Sequence, residues 1–235
     1  MAIHNQTIIL IFPWQTLARE MIAYYKALSV NLFIFVDQNA DMQYLLRTFR
    51  DFPSNTSIHH IEKPITSFWQ SLPDEKIQKL SEPDIVFNFI GNEFLQIDIR
   101  GEGEEWQIDA NDKPQIHFAF VEELIERLSL TKKITWLNVV YGRTKLSDGK
   151  QVFCQSRYGI MGFNNLIRLN PDLQKINIYD VCLTYLRHKQ HKDKVEHCQY
   201  CSKETFGDHA FDLREPGTIR DFLVNTANEK LNSNG

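Results

Sequence analysis

Cys198 and Cys201 are separated by two residues, with His197 beside the first thiol and His209 downstream. Two thiolates at that spacing can grip one side of a tetrahedral zinc, and one or two imidazoles can close the shell. The same spacing suits a dithiol redox pair, but no helix pattern stands directly behind it in the thioredoxin manner. With a single pair present, a solvated loop with incidental thiols is the simplest reading, and any metal here would be structural. Tyr158 opens a helical pattern and can exchange a proton. Alone, with a pKa of about 10, a tyrosine is a poor acid or base at neutral pH. Asp37 ends an apolar run, Leu32-Phe-Ile-Phe-Val36. An acid there can hold a ribose hydroxyl, although Asp also ends strands because it starts turns. Asn88 and Gly91 close another such run, Phe87-Asn88-Phe89-Ile90-Gly91.

The elements that must position these residues are legible. The stretch 133–185 sets the pattern. An apolar strand (Ile134-Thr-Trp-Leu-Asn-Val-Val140) leads through a polar loop (141–151) into a helix (158–170) with Ile160, Phe163, Leu166 and Ile167 at helical spacing. A second apolar strand follows at 175–183. Strand, helix, strand with short connections is a right-handed parallel crossover. Earlier, residues 7–12 are apolar without alternation, as in a strand buried on both faces. Helices are expected at 15–28, 41–49, 67–80 (broken at Pro73) and 114–128, and strands at 31–36, 57–61 and 84–90. The 114–128 helix carries Ile116, Phe120, Val121, Leu124, Ile125 and Leu128. Residues 95–108 alternate like a hairpin around Gly101 and Gly103. A last helix is expected at 217–230. About six strands alternating with helices predict a single-domain, Rossmann-like, doubly wound parallel sheet over 1–235. It would carry an irregular insert at 92–112 and a loop-rich lobe at 186–216.

Composition bounds the partners. The 235 residues carry a net charge of -4, with 43% hydrophobic and 24% charged residues. Basic residues are scattered and outnumbered, so neither nucleic acid nor a membrane is expected as partner. No apolar run is long enough for a membrane span, and no secretory signal is visible. Four cysteines in such a chain fit reduced thiols in a cytoplasm. Ten glycines are few for a nucleotide-binding α/β protein.

With these elements in order, the chain resembles the short-chain dehydrogenase/reductase family along about its whole length. In that family an Asn-Asn-Ala-Gly-like motif follows the fourth strand; residues 87–91 are similar to a degraded form of it. Tyr158-Gly-Ile-Met-Gly162 stands where the family has Tyr-x-x-x-Lys. The tyrosine matches and the lysine position is Gly162. The strand-end serine falls near 139–141, where there is none. The glycine-rich turn is replaced by Phe12-Pro13-Trp14-Gln15-Thr16. The glycines let backbone approach a pyrophosphate at a helix N-terminus. The lysine lowers the tyrosine pKa, and the serine holds a substrate carbonyl. Their loss implies a protein without nicotinamide cofactor or hydride transfer, a scaffold or partner subunit. The alternatives are an NAD(P)-dependent oxidoreductase with an atypical site around Tyr158, Asp37, Asn88 and Gly91, or a small-ligand binder. The resemblance also implies a homodimer, or a heteromer with an intact relative, through helices 114–128 and 158–170. Phe118, Phe120 and Val121 on one and Ile160, Met161 and Phe163 on the other would be the apolar contacts.

Overall fold

The computed structural model describes residues 6–13, 15–36, 40, 43, 47, 55–61, 65–90, 96–100, 103–107, 112–141, 144–145, 151–153, 175–183, 185–186 and 216–233. In chain order the elements are β1 (Thr7–Ile11), α1 (Gln15–Ala27), β2 (Asn31–Val36), β3 (Thr56–His60), α2 (Ile65–Ser71), α3 (Asp74–Ser81) and β4 (Ile85–Ile90). There follow β5 (Gln96–Arg100), β6 (Gly103–Gln107), α4 (Asp112–Arg127), β7 (Ile134–Tyr141), β8 (Thr144–Lys145), β9 (Gln151–Phe153), β10 (Ile176–Leu183), β11 (Tyr185–Leu186) and α5 (Pro216–Ser233).

Six strands form one all-parallel sheet in the order β10-β7-β4-β1-β2-β3. The fold is α/β and Rossmann-like. Every residue of β1 is buried, as the unalternating run Thr-Ile-Ile-Leu-Ile requires. Odd and even residues therefore serve two cores. Ile8, Leu10, Ile34 and Phe87 pack with Met21, Ile22 and Tyr25 of α1 and with Leu223, Val224 and Ala227 of α5. Ile9, Ile11, Phe35 and Trp136 pack on the other face with Trp69, Leu80, Phe120, Val121 and Leu124. From β1 the chain first steps outward to β2 and β3, then returns to β4 on the other side. Right-handed crossovers then put α1 on one face and α2, α3 and α4 on the other. The strand order reverses between β1 and β4, which is where such sheets hold a ligand.

Local chemistry explains the boundaries. The helix expected at 67–80 is two helices, because Pro73 has no N–H and sits as N-cap of α3 with φ -59°. Asp74 and Glu75 then face the positive end of α3. Helix α4 starts two residues before Pro114, which is tolerated because first-turn N–H groups have no helical partner anyway. Asp84 pins the amino ends of three strands. Its Oδ2 accepts from the Thr7 N–H at 2.7 Å, its Oδ1 pairs with Lys132 at 2.8 Å, and its carbonyl accepts from Thr135 at 3.0 Å.

The expected hairpin is present as β5 and β6, with Ile97 opposite Trp106. The stretch 141–151, expected as plain loop, contains β8 and leads into β9. β9 pairs with β8 on one side and β11 on the other in a three-stranded antiparallel sheet. Strands of two or three residues are defined by pairing and carry no periodicity of their own. The helix expected at 158–170 and most of that at 41–49 lie outside the described residues.

Candidate functional site

The carboxyl ends of β1, β4 and β7 meet α4 at the point where strand order reverses. Phe12, the first residue after β1, has φ 48°. That left-handed conformation crowds a Cβ and is unusual for a bulky residue. The Phe12 N–H donates to the Phe35 carbonyl at 2.7 Å, extending the β1–β2 ladder by one residue. Pro13, also buried, has no N–H to offer. A phosphate at a strand–helix turn is held by backbone N–H groups and the helix N-terminus. Here the first two residues of the turn direct no backbone N–H to such a site, the first bonding Phe35 and the second being proline. The Phe12 side chain, 5% exposed, lies with its ring centroid 4.7 Å from that of His117 and 6.3 Å from that of Phe120.

Beneath Phe12 runs a buried polar chain. Asn88 of β4 and Asn138 of β7 are register partners, both wholly buried on the face covered by α4. Its orientation follows from one group. The Trp136 indole can only donate, and it points at Asn138 Oδ1 at 2.7 Å. Asn88 Nδ2 donates to the same oxygen at 3.0 Å. Asn88 Oδ1 must then be the acceptor at 2.9 Å from His117 Nε2, so that nitrogen carries the proton. His117 is 1% exposed, and burial lowers its pKa to about 3. The imidazole is therefore neutral at physiological pH, in the Nε2–H tautomer.

The same register row continues across the sheet through Ile11, Phe35 and His59. At this end it is aromatic. Phe35 lies 4.6 Å from Phe120 and 5.8 Å from His59, and Phe68 lies 5.2 Å from His59. His59 is held neutral too, its pKa lowered to about 4, first by burial and then by the nearby Lys76.

Chemically, this chain of a neutral imidazole, two amides and an indole orients and rigidifies. It offers no nucleophile, no carboxylate and no cation. Of the residues singled out in the sequence, the structure places Asn88 in this cluster. Asp37, Gly91, Tyr158, His197, Cys198, Cys201 and His209 lie outside the described residues. Among the described residues no group of His, Cys, Asp or Glu is arranged to hold a metal ion, and no helix is long and apolar enough to cross a membrane. Sequence reasoning passed over His117, Asn138 and Trp136. A signal was available: Asn88 and Asn138 are polar interruptions in strands otherwise apolar on both faces, and buried amides need partners.

No family model matches the sequence, and no curated protein matches it. Several solved structures are similar in their course. BdcA (YjgI) from E. coli shares 9% identity at a TM-score of 0.43, over 77% of this chain and 85% of that one. A short chain dehydrogenase/reductase from Burkholderia phymatum, solved in complex with NAD, shares 10% at 0.48, over 77% of this chain and 66% of its own. A short-chain dehydrogenase from Rhodopseudomonas palustris shares 9% at 0.29, over 76% and 98%. The Rossmann-like assignment itself stands on this chain's six-stranded parallel order, β10-β7-β4-β1-β2-β3.

Proposed function

We propose that this chain is a short-chain dehydrogenase/reductase-like protein that binds no nicotinamide cofactor and transfers no hydride, and that it acts as a scaffold or partner subunit. The observation that carries this reading is the turn after β1, where the Phe12 N–H is committed to the Phe35 carbonyl and Pro13 has none. Gly162 stands four residues after Tyr158, where the family it resembles has the lysine that lowers the tyrosine pKa, which argues the same way.

The test is titration of the purified protein with NADH and with NADPH, read by fluorescence and by thermal shift. A ligand at a hundred times its dissociation constant adds about 2.7 kcal/mol. For a chain of this length that corresponds to a shift on the order of 5–10 °C. We expect no shift and no fluorescence change at millimolar cofactor. Micromolar binding of either cofactor would sink the proposal.

The proposed partner is a different chain. Of the three residues that the sequence offered to a second subunit on this helix, Phe120 and Val121 are wholly buried in this chain's own core and the Phe118 side chain lies outside the described residues, while Ala119, Glu122, Glu126 and Arg127 are exposed among the described side chains of α4. A second copy docked over Ala119, Glu122 and Glu126 would set carboxylates against carboxylates, whereas a relative with a basic or neutral helix would not.

A further inference from the structure

We draw no further inference here: the strongest candidate, the surface of the small β-lobe in which β5 lies against β8 of the three-stranded sheet beyond the carboxyl ends of β4 and β7, carries none because nothing in the structure shows what covers it.

Discussion

Phe12 sets two effects against each other. Relieving a left-handed backbone gains about 1–2 kcal/mol, whereas removing a buried phenyl ring costs about 3–5 kcal/mol. Both Phe12→Ala and Phe12→Gly should therefore destabilise the protein. Their order is the diagnostic part. Alanine keeps the strained φ and glycine does not, so the glycine variant should be the more stable by about 1 kcal/mol, against the usual ranking. Urea denaturation of the two variants decides it, and an alanine variant at least as stable would contradict the φ of 48°. His117 makes a second prediction. Its folded pKa is about 3 and its unfolded value about 6.5, so the fold favours the neutral form. That contribution is complete above the unfolded value. As pH falls from about 6.5 toward 3 the unfolded chain takes up a proton that the folded chain refuses, at a cost of about 1.4 kcal/mol per pH unit. His59 adds in the same direction down to about 4. Urea midpoints measured at successive pH values should fall with acid below neutrality. They should fall less steeply in His117→Gln, which keeps an N–H for Asn88 and does not titrate. Equal slopes would mean that His117 is not held neutral. Both residues illustrate what a sequence hides. His117 sits in an amphipathic helix among apolar neighbours, and Phe12, though it stands where the glycine-rich turn would be, carries no mark in the sequence of its left-handed backbone or of its place on His117. Only the tertiary placement of β4, β7 and α4 gives either a role.

At the scale of elements, what was legible was whatever imposes a period or breaks one. Parallel strands buried on both faces read as uninterrupted apolar runs, and β1, β2, β4 and β7 were found where those runs lie. Pro73 announced the break between α2 and α3. The short strands β8, β9 and β11 have no such mark, because pairing with distant residues creates them. The last helix shows how packing outweighs surface charge. On α5, Arg220 reaches Glu20 at 3.5 Å, Asp221 at 2.6 Å, and the ring of Tyr24 at 5.9 Å, all near solvent. One turn away Leu223 is wholly buried against the sheet and α1. Partly exposed ion pairs contribute roughly 0–1 kcal/mol. A buried leucine cut to alanine costs about 2–5 kcal/mol. Leu223→Ala should therefore lower stability several-fold more than Arg220→Ala, although the arginine reaches two carboxylates and a ring. Chemical denaturation of both variants checks it, and a larger loss at Arg220 would mean that the α1–α5 contact is held by charge.

Over the whole molecule, topology fixes where function can sit and how much surface is left for a partner. Right-handed crossovers direct α4 onto the sheet beside β4, so its broad apolar stripe goes to the core: Ile116, Phe120, Val121, Leu124, Ile125 and Leu128 are all buried. The family resemblance offers Phe118, Phe120 and Val121 of this helix to a second subunit. In the structure the sheet, Trp69 of α2 and Leu80 of α3 take up the stripe. Trp69 stacks on Phe120 at 5.9 Å and 7°, with the Arg127 guanidinium 4.8 Å over the indole. The solvent side that remains on the described part of α4 is Ala119, Glu122 and Glu126, with Arg127 at its end. A specific self-association through that side would need about 800 Å² per partner with a desolvated, apolar centre. These residues supply one methyl group, two carboxylates and a guanidinium, in a molecule of net charge -4. The purified chain should therefore sediment at micromolar concentration as a monomer of 27.6 kDa. Raising the salt, which screens carboxylate repulsion over a Debye length of about 8 Å near physiological ionic strength, should leave it monomeric, because little apolar area waits behind the charge among the described residues of α4. A stable species of twice that mass would overturn the choice of a different chain as partner and place a homodimer on other elements. A monomer that doubles its mass only at high salt would show that charge alone keeps the copies apart, and that the apolar area behind it is larger than the described residues supply.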